Sequence, residues 1–285
     1  MSKRALVLSG GGALGALEVG ALKALVEKGR KYDVVSGVSV GSINGAAVAL
    51  MQGSLEVRVA LMEKLWRDID NDTVYRKHAP WIFNYLWSFW KKSLYSMEPL
   101  EDYVTEQLGG KRSDGIPFYV GIVNLQNAKY YAVDVSKLKL EKAVKVIHAS
   151  CVFPGLFEPV YLEHIPGIPD GDYVDGGIRD TVPLRAVLQD EEVTEVDVVI
   201  TSPERGYVSY QKEFKSAIDV GLRAAFIMSD EVMLTDGLQG ICDRRDVKLN
   251  LYAPNGPLRF DGFEFNQDTI GDLIRQGYNE TREKP

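Results

Sequence analysis

The stretch Tyr32–Leu50, YDVVSGVSVGSINGAAVAL, changes period on either side of a serine. Tyr32–Ser36 is a short run of strand character, and Val40–Met51 is small and apolar at helical spacing, so the segment predicts strand, tight turn and helix. At the turn stand Gly37, Val38, Ser39, Val40 and Gly41. This G-x-S-x-G pattern is that of a nucleophile elbow, where small flanking residues permit a sharp bend and lift the serine to the mouth of a sheet. The following helix N-terminus, with its free N–H groups and dipole, favours negative charge developing there. Alone, the pattern fits equally well a serine capping a helix in a small-residue turn.

One strand earlier the chain reads ALVLSGGGALGALEVG, Ala5–Gly20. A strand over Ala5–Leu8 runs into Gly10, Gly11 and Gly12, with Gly15 close behind. A helix follows over Ala13–Lys28 and closes at Gly29. Such a loop exposes backbone N–H groups that bind negative charge, either a resident phosphate or a transient oxyanion. The G-x-G-x-x-G register is missing and no Lys-Ser/Thr follows, which argues against a dinucleotide fold or a P-loop.

Working outward, Val57–Arg67 reads as a helix. Strands are predicted at Phe118–Asn124, Lys129–Val133, Val196–Thr201 and Lys248–Tyr252, and helices at Leu140–Ala149, Leu184–Gln189, Phe214–Thr235 and Thr269–Arg282. The Pro/Gly-rich stretches Ile165–Gly171 and Pro254–Pro257 read as surface loops. Alternating strands and helices without a linker predict one α/β domain over residues 1–285, with a mainly parallel central sheet and helices on both faces.

Composition narrows the function. The 285 residues are 45% hydrophobic and 26% charged, ordinary for a globular domain, and the net charge of −7 argues against nucleic acid as a partner. Cys151 and Cys242 form neither a disulfide framework nor a metal-ligand spacing, and are read as inert buried thiols in a reducing compartment. The N-terminal apolar run breaks at the glycines, too short for a signal peptide, and no stretch is long enough to span a bilayer, so a cytoplasmic location is expected. Residues 78–97 hold three of the four tryptophans. They are either a buried amphipathic helix or, over 81–97, a lid or peripheral membrane contact with Trp and Tyr at headgroup level.

A serine nucleophile needs a base. The histidines are His78, His148 and His164, and none lies in the last third of the chain, where an α/β-hydrolase order would put one. A carboxylate is the next candidate. Asp175, in DYVDGGIRDTVPL, follows a strand end and precedes Gly176-Gly177. Locally a plain turn explains it as well, and Asp172 and Asp180 stand nearby.

GGGALG at 10–15, GVSVG at 37–41 and DGG at 175–177, in that order, resemble the patatin-like phospholipase family. GALKAL at 20–25, GSINGAAVA at 41–49, ASCVFPGLFEPV at 149–160 and IRQGYNETRE at 274–283 are similar to further family segments. The resemblance implies a three-layer αβα patatin-like domain and a Ser–Asp dyad with Ser39 as nucleophile and Asp175 as base. It implies an oxyanion hole from the N–H groups of Gly11 and Gly12, with Gly10 adjacent, and support from Gly15, Gly37, Gly41, Gly176 and Gly177. The implied reaction is hydrolysis of carboxylic esters of (phospho)lipids through an acyl-enzyme, as a phospholipase A-type enzyme or lysophospholipase, with no cofactor or metal. A carboxylesterase or thioesterase on soluble acyl substrates, and an idle lipid-binding relative, are the alternatives. Three positions depart from the family: Leu14 where Arg or Lys is common, Glu18 where many members carry His, and Asp180-Thr181 where an Asn pair is frequent.

Overall fold

The computed structural model describes residues 2–77, 95–109, 115–203, 220, 223–224, 227–228, 246–256, 258 and 265–284. In chain order these form β1 (Lys3–Leu8), a single 3-10 turn (Gly12–Gly15), α1 (Ala16–Glu27), β2 (Val34–Val38), α2 (Val40–Leu50), α3 (Leu55–Asp68) and α4 (Asn71–Val74). There follow β3 (Arg76–Lys77), β4 (Tyr95–Ser96), α5 (Glu98–Leu108), β5 (Phe118–Asn124), β6 (Tyr130–Asp134), α6 (Leu140–Cys151), β7 (Val160–Leu162) and β8 (Gly171–Asp175). The last elements are α7 (Leu184–Leu188), β9 (Val193–Val199), β10 (Lys248–Tyr252) and α8 (Gln267–Glu283).

The strand order β10-β9-β1-β2-β5-β8-β7, with β6 also on β5, makes one mixed sheet. From β10 to β5 every pairing is parallel, as the alternation of strands and helices predicts. The antiparallel part begins at a short turn. Asn124 Oδ1 accepts the N–H groups of Gln126 and Asn127 at 3.0 Å each, and this Asx turn folds β6 straight back along β5. So few residues cannot make the crossover a parallel pairing requires.

Alternate residues of β1 enter two apolar layers. Leu6 and Leu8 join Leu22, Val35 and Val48 in the larger core. Ala5 and Val7 pack with Val34, Val196, Val198, Leu184 and Val187 on the opposite face. A strand covered on both faces must be apolar throughout rather than alternating, which is why ALVL reads as a continuous run.

The topology positions the site through β5. Since β6 lies along Tyr119–Val123, the strands β2 and β8 share the other edge. β2 runs up that edge until Val38 faces Gly121, and β8 runs down it until Asp175 faces Ile122. Two strands from distant parts of the chain thus meet end to end, and their last residues lead into Ser39 and Asp175.

Some boundaries differ from expectation. The second strand is Val34–Val38, two residues later than Tyr32–Ser36, because its register is set by Ala5–Leu8 of β1 rather than by local apolarity. The helix predicted from Ala13 begins at Ala16, after the 3-10 turn. Of the helix expected at 214–235, Val220, Arg223, Ala224, Ile227 and Met228 are described and helical, and the rest lies outside the described residues. The aromatic segment lies outside them over 78–94, as does Cys242. Among the described residues no helix is long and apolar enough to cross a membrane.

Candidate active site

The GVSVG stretch folds into a strand–turn–helix elbow. Ser39 has φ 53° and ψ −130°, a conformation rare for a residue with a side chain. Its neighbours must be small: a Cβ on Gly37 would overlap Gly41 O, and one on Gly41 would lie 2.5 Å from both Leu8 O and Ser9 O. The turn is held from inside by Ser42, whose N–H and hydroxyl donate to Ser39 O at 2.8 and 2.6 Å. Ser39 remains partly exposed.

Asp175 is 4% exposed, at the end of β8, with the Ser39 hydroxyl near enough to favour its charged form. Its carboxylate accepts the Gly177 N–H at 2.7 Å. Burial pushes its carboxyl up to about 6, while the Ser39 hydroxyl and the Gly177 N–H pull it down. Gly176 keeps the junction closed, since a Cβ there would lie 2.5 Å from Gly121 O and 2.8 Å from Val38. The alternatives Asp172 and Asp180 serve the frame: Asp172 bonds Gln126 Nε2 at 2.8 Å and Asp180 bonds Val182 N–H at 3.1 Å.

The glycine loop lies beside Ser39: a Cβ on Gly10 would sit 3.2 Å from Ser39 Cβ. Gly11 has φ 152° and Gly12 φ 57°, and a Cβ on Gly11 would overlap Thr201 Oγ1. The N–H groups of Gly11 and Gly12 have no hydrogen bond among the described residues, whereas Gly10 N–H already donates to Thr181 O at 3.3 Å. Gly10 therefore shapes the loop, and Gly11 and Gly12 carry its free donors. Thr201, just past β9, donates to Gly10 O and completes the frame. Gly15 ends the 3-10 turn where a Cβ would press on Val40 and Trp66.

The departures from the family acquire places. Leu14 is buried in the larger core, so that position offers no cation to a substrate. Glu18 is fully buried on α1, where its Oε2 accepts Asn44 Nδ2 at 2.8 Å. Asn44 also donates to Gly15 O at 3.1 Å and accepts Trp66 Nε1 at 2.8 Å. Burial raises the Glu18 carboxyl to about 8, so it is protonated at neutral pH.

Neither described histidine pairs with Ser39 or Asp175. His148 Nδ1 lies 2.6 Å from Glu101, and His164 is exposed beside Glu163. Among the described residues no group of three His, Cys, Asp or Glu side chains is arranged to hold a metal. Sequence reasoning missed Ser150, Cys151, Thr181 and Thr201. Ser150 and Cys151 lie inside ASCVFPGLFEPV, yet nothing local to that segment indicates that it contacts Ser39.

Comparison with known proteins places the chain in a family. The sequence profile described as patatin-like phospholipase matches residues 6–188. The chain is 29% identical over 202 residues to lysophospholipase nte1 of Aspergillus terreus, covering 68% of this chain and 12% of that protein. It is 37% identical over 89 residues to patatin-like phospholipase domain-containing protein ZK370.4 of Caenorhabditis elegans, covering 31% of this chain and 5% of that protein. The matched stretch is thus a small part of both relatives. Among solved structures, that of VipD from Legionella pneumophila aligns over 99% of this chain and 66% of its own, with 15% identity and a TM-score of 0.48. With the family profile matched from the first strand to α7, this chain belongs to the patatin-like phospholipase family.

Proposed function

We propose that this protein is a lipid acyl hydrolase, cleaving carboxylic esters of phospholipids or lysophospholipids through Ser39 and Asp175. The observation that carries the reading is the buried carboxylate of Asp175, whose charged form the Ser39 hydroxyl favours, beside two free backbone N–H groups. Asp175 takes the hydroxyl proton as Ser39 Oγ attacks the ester carbonyl. The Gly11 and Gly12 N–H groups receive the negative charge of the tetrahedral oxygen. Each such donor contributes about 2.7–4 kcal/mol to transition-state stabilisation in enzymes where one has been removed. The C–O bond to the alcohol breaks, and Asp175 returns the proton to the departing alkoxide. Water then attacks the acyl-serine with Asp175 again as base, releasing the fatty acid and restoring the hydroxyl. The names of the relatives favour a lipid substrate; the chemistry itself serves any accessible ester.

The test compares the parent with Ser39→Ala and Asp175→Asn on phospholipid and lysophospholipid vesicles and on a short soluble ester. Loss of ~10³-fold or more in kcat in both variants is expected, by analogy with the removal of members of other serine catalytic groups. Near-full activity in Asp175→Asn overturns the dyad. A parent active only on the soluble ester makes it a carboxylesterase, and one inert on every ester an idle relative.

A further inference from the structure

The C-terminal turn of α6 sends three consecutive residues to the place where β2 and β8 meet. Ser150 Oγ accepts the Ser39 N–H at 2.9 Å and donates its own proton to Gly121 O at 2.7 Å. Cys151 Sγ donates to Ser39 O at 3.3 Å. Val152 O accepts the Asp175 N–H at 3.0 Å. All three are buried, Ser150 completely. One helix end therefore holds both backbone polar groups of Ser39 and the amide of Asp175.

This arrangement answers a mechanical problem in the topology. Ser39 and Asp175 are 136 positions apart, at the ends of two strands that both pair with β5 and not with each other. Ser39 is also in a strained backbone conformation, with φ 53°, which persists only where surrounding bonds over-determine it. Ser150 bridges the strained residue to Gly121, the β5 residue facing the end of β2. Cys151 is suited to donating without reacting: burial and the nearby Asp175 carboxylate both push its thiol far above the usual range, so it stays protonated.

We propose that Ser150, with Cys151 and Val152 beside it, is a positioning residue that locks the Ser39 and Asp175 backbones into one register for acyl transfer. The proposal rests on the reading of Ser39 as nucleophile and Asp175 as base. It is distinct from stabilisation of the fold, because misplacing a reacting group by about 1 Å lowers kcat by ~10²-fold without changing ground-state binding. It also predicts a change in titration. Loosening Ser39 moves its hydroxyl away from Asp175, and that hydroxyl holds the carboxyl down. The acid limb of the kcat profile then moves to higher pH.

Ser150→Ala tests this with a short p-nitrophenyl ester and a fluorophosphonate that labels the active serine. The expected result is a ~10²-fold fall in both kcat and labelling rate, KM within about twofold of the parent, and an upward shift of the acid limb. Cys151→Ala, which deletes one donor and little volume, is expected to lose about five- to tenfold with a smaller shift in the same direction. It decides the matter if Ser150→Ala does not fold. Unchanged kcat, labelling and acid limb in the folded variant, or a lowered melting temperature with kcat intact, overturn the proposal while leaving the dyad in place. Activity surviving in Ser39→Ala removes the dyad and this inference together.

Discussion

A single residue, Asp175, sets the pH range of the proposed chemistry. As a base it must be ionised, and burial lifts its carboxyl to about 6. Activity is therefore expected to rise with pH through a limb near 6, higher than an exposed aspartate would give. A kcat profile on a soluble ester, which avoids changes in vesicle charge, is the measurement. A limb at 4 or below means that Asp175 is better solvated in solution than here. Gly11 is the second point at this scale. Its φ of 152° and contact with Thr201 leave no room for a methyl group, so Gly11→Ala must displace the loop and its N–H. A fall in kcat of ~10²–10³-fold is expected, matching loss of one oxyanion donor. An unchanged circular dichroism spectrum would show that the loss is local.

Individual elements explain how much of the site could be read from the sequence. The elbow and the glycine loop are legible because each is local: the bend needs small residues at fixed offsets, and Gly37, Gly41, Gly11 and Gly12 supply them. Ser150 and Thr201 are not, because each acts on a residue more than a hundred positions away, Ser39 in one case and Gly10 in the other. Their side chains become meaningful only once α6 and β9 are docked. Glu18 on α1 is, in the sequence alone, only a departure from the family pattern, and packing gives it a measurable consequence. It is fully buried, its Oε2 bonds Asn44, its Oε1 has no partner among the described residues, and its carboxyl is raised from 4.5 to about 8. Between those two values the folded protein keeps a proton that the unfolded chain has lost. Stability from this group is therefore complete below about pH 4.5 and declines towards pH 8, by ~1.4 kcal/mol per unit at most. Glu18→Gln keeps the shape and the bond to Asn44 and removes the titration. Its melting temperature relative to the parent is expected to climb steadily from pH 5 to 8. A pH-independent gap between the two curves means that Glu18 is ionised in the folded state.

The whole molecule extends the site's support beyond the stretch matched by the family profile. Residues past 188 supply β9 and β10, the Thr201 bond to the glycine loop, and α8, which lies against α1. The amphipathic pattern of α8 is visible in Ile270, Leu273, Ile274 and Gly277, but its partner is not, because nothing in one helix's periodicity names the helix it packs on. The contact is made by backbones: a Cβ on Gly277 would overlap Leu17 O, and one on Gly20 would overlap Ile274 O. Gly277→Ala therefore opposes two effects with known signs. Helix propensity alone favours alanine by about 1 kcal/mol. Overpacking against a main-chain oxygen, which cannot swing aside as a flexible side chain can, costs about 1–3 kcal/mol or more. The second effect wins here because α1 is itself wedged against the core through Leu22 and Leu25 and has nowhere to retreat. A net loss of about 1–2 kcal/mol is expected, lowering the melting temperature by about 2–8 °C for a chain of this size. Since α1 carries the glycine loop at its N-terminus, kcat should fall with stability in Gly277→Ala. Gly271→Ala, at a half-buried position where the nearest neighbour is the Arg67 guanidinium 3.4 Å away, should instead be neutral or stabilising. Equal stabilisation by both substitutions would mean that α8 does not clasp α1 closely in solution, and that the glycine loop draws its rigidity from β9 and α2 alone.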